Sequence, residues 1–208
     1  MTATEQTYSQ TPVLSNDLVR LEPLDLKHQD DLAQAVLPGE LWKTWYTRIP
    51  APDHVTDEIR NRLDMHAEHR LAPWAVIDPA SSRAVGMTTF LNLNPAHRRL
   101  EIGSTWIGQD AQGTGINPAM KLLLLSRAFE ELGCIAVEFR THWHNHQSRA
   151  AIAGLGAKQD AVLRNHIIMD NGTIRDTVVF SILDTEWPSV KVGLEHRISK
   201  HVTSRTNH

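Results

Sequence analysis

The apolar positions change period twice along the chain, and those changes mark its elements. Leu18-Val-Arg-Leu-Glu-Pro23 alternates apolar and polar side chains as a half-buried strand does. From Asp25 the spacing lengthens: Leu26, Leu32, Ala33, Val36 and Leu37 fall on one helical stripe with an acidic first turn, and Pro38-Gly39 stops it. A second helix spans residues 53–67, where Val55, Ile59, Leu63 and Ala67 recur every fourth position on a polar surface. The period then shortens again. Residues 73–78, 84–93 and 98–107 read as strands joined by the turns Asp78-Pro-Ala-Ser-Ser82 and Asn94-Pro-Ala-His97, an antiparallel meander.

Residues 116–132 are apolar almost all round, which predicts a buried helix ended by Gly133, and 135–141 reads as a strand. Strand, helix, strand predicts parallel pairing of 98–107 with 135–141. A short helix runs to Leu155 from an N-cap at Asn145, and Asp160–Met169 with Ile174–Leu183 forms a hairpin around Asp170-Asn-Gly-Thr173. No repeat or linker interrupts Leu18 to Leu183, so the pattern predicts one α/β domain whose helices fill gaps in a mixed sheet. Residues 1–12, short of apolar side chains, read as a flexible leader, 13–188 as the domain and 189–208 as a C-terminal tail.

Composition narrows the partners. The 21 basic and 24 acidic residues are interleaved and give a formal charge of -3, no footprint for nucleic acid or an anionic membrane. No apolar run reaches the roughly 20 residues needed to span a bilayer. The first residues have neither a basic region nor an apolar one, so the expected compartment is the cytoplasm. Cys134, the sole cysteine, has no internal disulfide partner and reads as a small buried side chain.

Candidate chemistry clusters around a glycine pair. Gly113 and Gly115, between the strand ending at Ile107 and the helix starting at Ile116, present backbone N–H groups at a positive helix N-terminus, where phosphate oxygens can be received. Glycines also serve tight turns. No lysine follows the last glycine as a P-loop needs, and one glycine is missing for a dinucleotide fingerprint. Glu101 alternates with Leu100 and Ile102, which puts its carboxylate on the face of Gly103 and Thr105. Trp42, Trp45 and Tyr46 crowd the segment Leu41–Pro50 and either line a pocket or cap the core. His142, His144 and His146 alternate as metal ligands on a strand would, but no acidic or cysteine ligand stands near them, and a helix starting at Asn145 turns His146 away. No metal is expected.

Glu101-Ile-Gly-Ser-Thr-Trp-Ile107, Gln112-Gly-Thr-Gly115, Arg127-Ala-Phe-Glu-Glu-Leu-Gly133, Asn145-His-Gln-Ser148, Leu155-Gly-Ala157 and the closing hairpin follow one another in order. Together they resemble the GNAT N-acetyltransferases, in the branch similar to the ribosomal-protein N-terminal (RimJ/RimL-like) acetyltransferases. The resemblance implies a GNAT fold: a central, mixed, mostly antiparallel twisted sheet of six to seven strands flanked by about four helices, with a parallel pair splayed at the acetyl-CoA site. It implies acetyl-CoA as donor, with the pyrophosphate on the backbone amides of Gln112, Gly113, Thr114, Gly115, Ile116 and Asn117. The pantetheine arm would lie along Trp106 and Ile107 and touch Asn145. Glu101 would act as general base through water, and the Ser148 hydroxyl would bond the coenzyme sulfur and act as acid. A helix-capping role for Asn145 and Ser148 competes with this reading and is compatible with it.

The acceptor implied is a primary amine, either a protein N-terminal α-amine or a small aminoacyl compound. It would be held by Trp42, Trp45 and Tyr46 with the final hairpin, and acetylated directly in a ternary complex. An α-amine with a pKa of ~7.8 offers far more neutral amine at pH 7 than a lysine at ~10.4. One residue departs from the family pattern: Asp110 stands where the loop usually carries Gln or Arg, and Gln109 or Gln112 would serve in its place. That departure sustains a second reading, a coenzyme-A-binding sensor or partner domain of the same fold with weak catalysis. Similar enzymes are often homodimers, and the apolar residues of 190–198 offer such a contact.

Overall fold

The structure, a computed structural model, describes residues 7–206. Among the described residues, eight strands form one sheet in the order β1-β2-β3-β4-β5-β6-β8-β7. They are β1 Leu14–Ser15, β2 Arg20–Pro23, β3 Ala72–Asp78, β4 Arg83–Asn94, β5 Arg99–Ile107, β6 Ala136–His142, β7 Lys158–Ile168 and β8 Ile174–Leu183. All neighbours are antiparallel except β5 and β6. The strand beyond the expected seven is β1, which pairs Leu14 with Leu21 and is too short to leave a periodic signal.

Helix α1 (Gln29–Ala35), entered through a 3-10 turn capped by Asp25, and α2 (Val55–Ala67) cover one face of the sheet. They bury Leu32, Val36, Val55 and Ile59 against Ala75, Ile77, Met87 and Trp106. The other face carries α3 (Ile116–Ser126), which continues as a π-helical turn over Arg127–Glu131, and α5 (Trp187–Thr206). There Met120, Leu124 and Leu194 meet Trp74, Phe90, Leu100 and Ile102. Alternation along the strands produces both cores: Trp74 and Ala75 are neighbours in β3 yet belong to opposite faces. Helix α4 (His146–Ala153) follows β6.

Described residues near both ends pack against the domain. Residues 1–6 of the expected leader lie outside the described residues; in residues 7–12, Tyr8 and Ser9 are buried. Tyr8 is 2% exposed and donates to the Leu132 carbonyl at 3.1 Å, and Trp74 Nε1 donates to the Pro12 carbonyl at 2.9 Å. One large aromatic anchors a stretch whose composition is otherwise polar. Of the expected tail, residues 189–206 lie in the helix Trp187–Thr206, and its Val190 and Leu194 are buried on the chain's own core.

Candidate active site

The site begins where the sheet opens. Parallel β5 and β6 pair only through Arg99–Ala136, Leu100–Val137 and Glu101–Glu138, so the edge of β5 beyond Glu101 has no partner strand among the described residues. A bulge lies in the same stretch. The β4–β5 register slips between Met87 and Thr89, and Ser104 holds a left-handed φ of 45°. The extra residue rotates Thr105 to the α3 face, where its hydroxyl lies 2.8 Å from Thr88 Oγ1 and accepts from Lys121 Nζ at 2.9 Å. Thr105 therefore does not share a face with Glu101 as simple alternation predicts. Buried Arg62, from α2, braces the bulge: its Nη2 donates to the Ser104 carbonyl at 3.5 Å, Nη1 to Thr89 Oγ1, and Nε to Glu58 at 2.7 Å.

Glu101 sits at the point of the split and is 6% exposed. Asn92 Nδ2 donates to its Oε2 at 2.7 Å, and Arg140 Nε lies 3.5 Å from the same oxygen. Oε1 has no hydrogen-bond partner among the described residues and lies beside Gly103, where a Cβ would come within 2.9 Å of it. Burial pushes the Glu101 carboxyl above the usual glutamate range, against the pull of Arg140 and Asn92. An open groove of about 680 Å³ approaches Glu101 from the paired end of the strands, between Asn92, Arg99, Glu138 and Arg140.

The glycine loop closes the other end. Gly115 is the N-cap of α3 with a φ of 92°, and Gly113 has a φ of 77° with open space where a Cβ would stand. Pro118 falls in the helix's first turn, where its missing N–H costs nothing. Gln112 and Gly113 are exposed, while Ile116 and Ile107 are buried beneath them. Trp106 is different: its indole belongs to the α1/α2 core, so only its backbone can line the opening. Asp110 is exposed on the turn before the loop. Gln112 Nε2 donates to the Ile107 carbonyl at 3.0 Å, and Gln147 Nε2 donates to Gln112 Oε1 at 3.1 Å. That last bond ties the first turn of α4 to the loop.

Asn145 caps α4, its Oδ1 accepting the Ser148 N–H at 2.9 Å. The Ser148 hydroxyl, half-buried, has no partner among the described residues. Trp45 and Tyr46 pack on His142, the last residue of β6, with ring centroids 5.3 Å and 6.1 Å from it. Their segment is fixed to the β7–β8 hairpin by Arg48–Asp170 at 3.0 Å and by Asn171 Nδ2 donating to the Trp45 carbonyl. Trp42 does not join them; it packs on the α1/α2 core. His144 lies 5.5 Å from His142 and His146 begins α4.

Sequence reasoning missed the bulge, Arg62 and the burial of Lys121. A signal for the bulge exists in hindsight: apolar residues at 100 and 102 give way to the adjacent pair Trp106-Ile107, which strict alternation forbids.

A family model described as an acetyltransferase (GNAT) domain matches residues 19–158. YdaF of Bacillus subtilis (strain 168), whose name describes a candidate ribosomal N-acetyltransferase, is 34% identical over 106 residues, 51% of this chain and 57% of that relative. A GCN5-related N-acetyltransferase from Brucella melitensis superposes with a TM-score of 0.81 at 30% identity, covering 91% of this chain and 86% of that one. Mycobacterium smegmatis RimJ, solved with CoA-disulfide, shares the fold at a TM-score of 0.77 and 19% identity, covering 91% and 96%. With the family model matching residues 19–158, and with a mostly antiparallel sheet opened at the one parallel pair among the described residues, the chain belongs to the GNAT acetyltransferase family.

Proposed function

We propose that the protein transfers an acetyl group from acetyl-CoA directly to a primary amine, with both substrates bound together. The observation that carries this is the split between β5 and β6, with a buried carboxylate at its point and a glycine loop at its mouth. The residues fit the donor. Gly113 leaves room for a phosphate, the backbone N–H groups of Gln112–Asn117 gather at a helix start, and the free β5 edge suits the amides of a pantetheine arm. The coenzyme supplies an activated acetyl thioester.

The protein's own groups handle the protons. The amine attacks the thioester carbon, the C–S bond breaks, and the nitrogen gives up a proton while the departing sulfur gains one. Glu101 Oε1 receives the first, directly or through water, and the Ser148 hydroxyl supplies the second. Trp45, Tyr46 and the β7–β8 hairpin wall the acceptor side, and the acceptor is an α-amine of a protein N-terminus or a small aminoacyl compound. Exposed Asp110 favours the second reading, a coenzyme-A-binding sensor, because an acid beside phosphates opposes binding. Turnover separates the two.

Calorimetric titration tests the donor site. Acetyl-CoA should bind saturably and ATP should not, and Gly113→Val should weaken acetyl-CoA binding at least about tenfold by filling the phosphate's space. No binding to the unaltered protein removes the proposal. Ser148→Ala should leave acetyl-CoA affinity unchanged and slow thiol release by about 10- to 100-fold. Full turnover in that variant would assign the acid elsewhere.

A further inference from the structure

His142 is 3% exposed, and its Nε2 is buried with no hydrogen-bond partner among the described residues. Its Nδ1 is occupied, accepting the His144 N–H at 3.0 Å. A nitrogen that accepts an N–H carries the lone pair, so the proton of the neutral ring is on Nε2. Burial, with Arg175 and His144 nearby, holds His142 below the ordinary histidine range, so this neutral form prevails at physiological pH. The ring cannot serve as a base at Nε2, where the proton already sits. It is a donor without an acceptor, and such a group costs free energy unless a ligand completes it.

Its position says which ligand. Glu138, Arg140 and His142 alternate on one face of β6, and the Arg140–Glu101 contact identifies that face as the one carrying Glu101. Counting four residues on from the Glu101–Glu138 pair sets His142 across the split from Thr105, next to the Ser104 bulge, where β6 is no longer bonded to β5. Trp45 and Tyr46, which wall the proposed acceptor side, pack against its ring.

We infer that His142 Nε2–H donates a hydrogen bond to the carbonyl oxygen adjacent to the acceptor's amine, and so selects α-aminoacyl acceptors over plain alkyl amines. The inference rests on the acetyltransferase reading above and specifies its acceptor. An α-aminoacyl group places a carbonyl one carbon from the attacking nitrogen; an alkyl amine or a lysine side chain has none there. Both protein N-termini and small aminoacyl compounds satisfy the requirement.

The test compares an alanine-initiated tripeptide amide with isopropylamine, which keeps the carbon and methyl but lacks the carbonyl. Because the two amines differ in basicity, each variant is compared with the unaltered protein acceptor by acceptor. His142→Phe keeps a ring against Trp45 and removes the donor; His142→Gln places an amide N–H near the position of Nε2. The expected result is a loss of about 10- to 100-fold in kcat/KM for the peptide with His142→Phe, partial recovery with His142→Gln, and little change for isopropylamine. Acetyl-CoA affinity should be the same in all three proteins. Equal losses for both acceptors, or none for the peptide, overturn the inference. The same two amines are also titrated into the CoA-saturated proteins. Peptide binding that depends on His142 without any turnover would sink the acetyltransferase reading while upholding the carbonyl contact, and peptide binding indifferent to His142 would sink the contact.

Discussion

Lys121→Met should stabilise the protein by roughly 3 kcal/mol at pH 7, a rise in Tm of about 6–12 °C for a chain of this size. Lys121 is 5% exposed on α3 and has no carboxylate within ion-pair distance among the described residues. Its ammonium has the Thr105 hydroxyl at 2.9 Å and the Phe139 ring at 5.8 Å. Burial drives its pKa down from 10.5 to about 7, which corresponds to a cost of up to ~5 kcal/mol for holding the proton in the folded state. Loss of the hydrogen bond to Thr105 offsets about 1–2 kcal/mol of the gain. Methionine fills similar space with an apolar, adaptable chain.

The pH dependence separates this cause from better packing. A lysine whose folded pKa lies below its unfolded value binds more protons when unfolded, so stability rises with pH between the two values. Burial also raises the Cys134 thiol and the Tyr8 hydroxyl, and these subtract stability as pH passes their unfolded values near ~8.5 and ~10. The clear window is therefore about pH 7 to 8.5, where the unaltered protein should gain ~2 kcal/mol relative to Lys121→Met. Denaturant unfolding at both pH values decides it. A variant less stable at pH 7, with the same slope, would mean that Lys121 bears no such cost.

The contrast between Lys121 and its surroundings shows what the sequence could and could not convey. Periodicity located the strands and helices because each buries a repeating face, and the strand, helix, strand order of 98–141 foretold the parallel pair. It could not reveal that the sole charged residue between Ile116 and Leu125 turns inward, since position on a helix fixes direction only once the packing partners are known. Ser104 is the same lesson on a strand. One bulged residue reverses every side chain after it, so Thr105 and Trp106 ended on faces opposite to those that alternation from Glu101 assigns. Of the candidate site, the motifs singled out Glu101, the glycine loop and Asn145, which caps α4. The bond from Gln147 to Gln112 that joins two of them, and the His142 Nε2 left without a partner among the described residues, depend on contacts between elements far apart in the chain. Tyr8 was hidden for a related reason: burial of a single aromatic leaves no period.

Glu101→Gln should lower turnover by about 100- to 10,000-fold while leaving acetyl-CoA affinity and folding close to unchanged. The amide preserves the shape and can keep the bond with Asn92, which reaches only Oε2. What it loses is the capacity to take a proton at Oε1, beside the space that Gly103 leaves open. The pH profile carries the sharper information. Burial raises the Glu101 carboxyl more than Arg140 and Asn92 lower it, so the active carboxylate form is gained as pH rises through a value above the ordinary glutamate range. The acid limb of kcat should sit at that raised value in the unaltered protein and be missing from Glu101→Gln. Because an α-amine titrates near ~7.8, the profile must be taken at saturating acceptor, so that protonation of the free amine does not enter. A variant within a few-fold of full turnover, or one that keeps the same acid limb, would remove Glu101 as the base and leave it a strand carboxylate held by Asn92 and Arg140. Loss of acetyl-CoA binding along with turnover would instead show that Glu101 holds the split open, a structural duty at the same place.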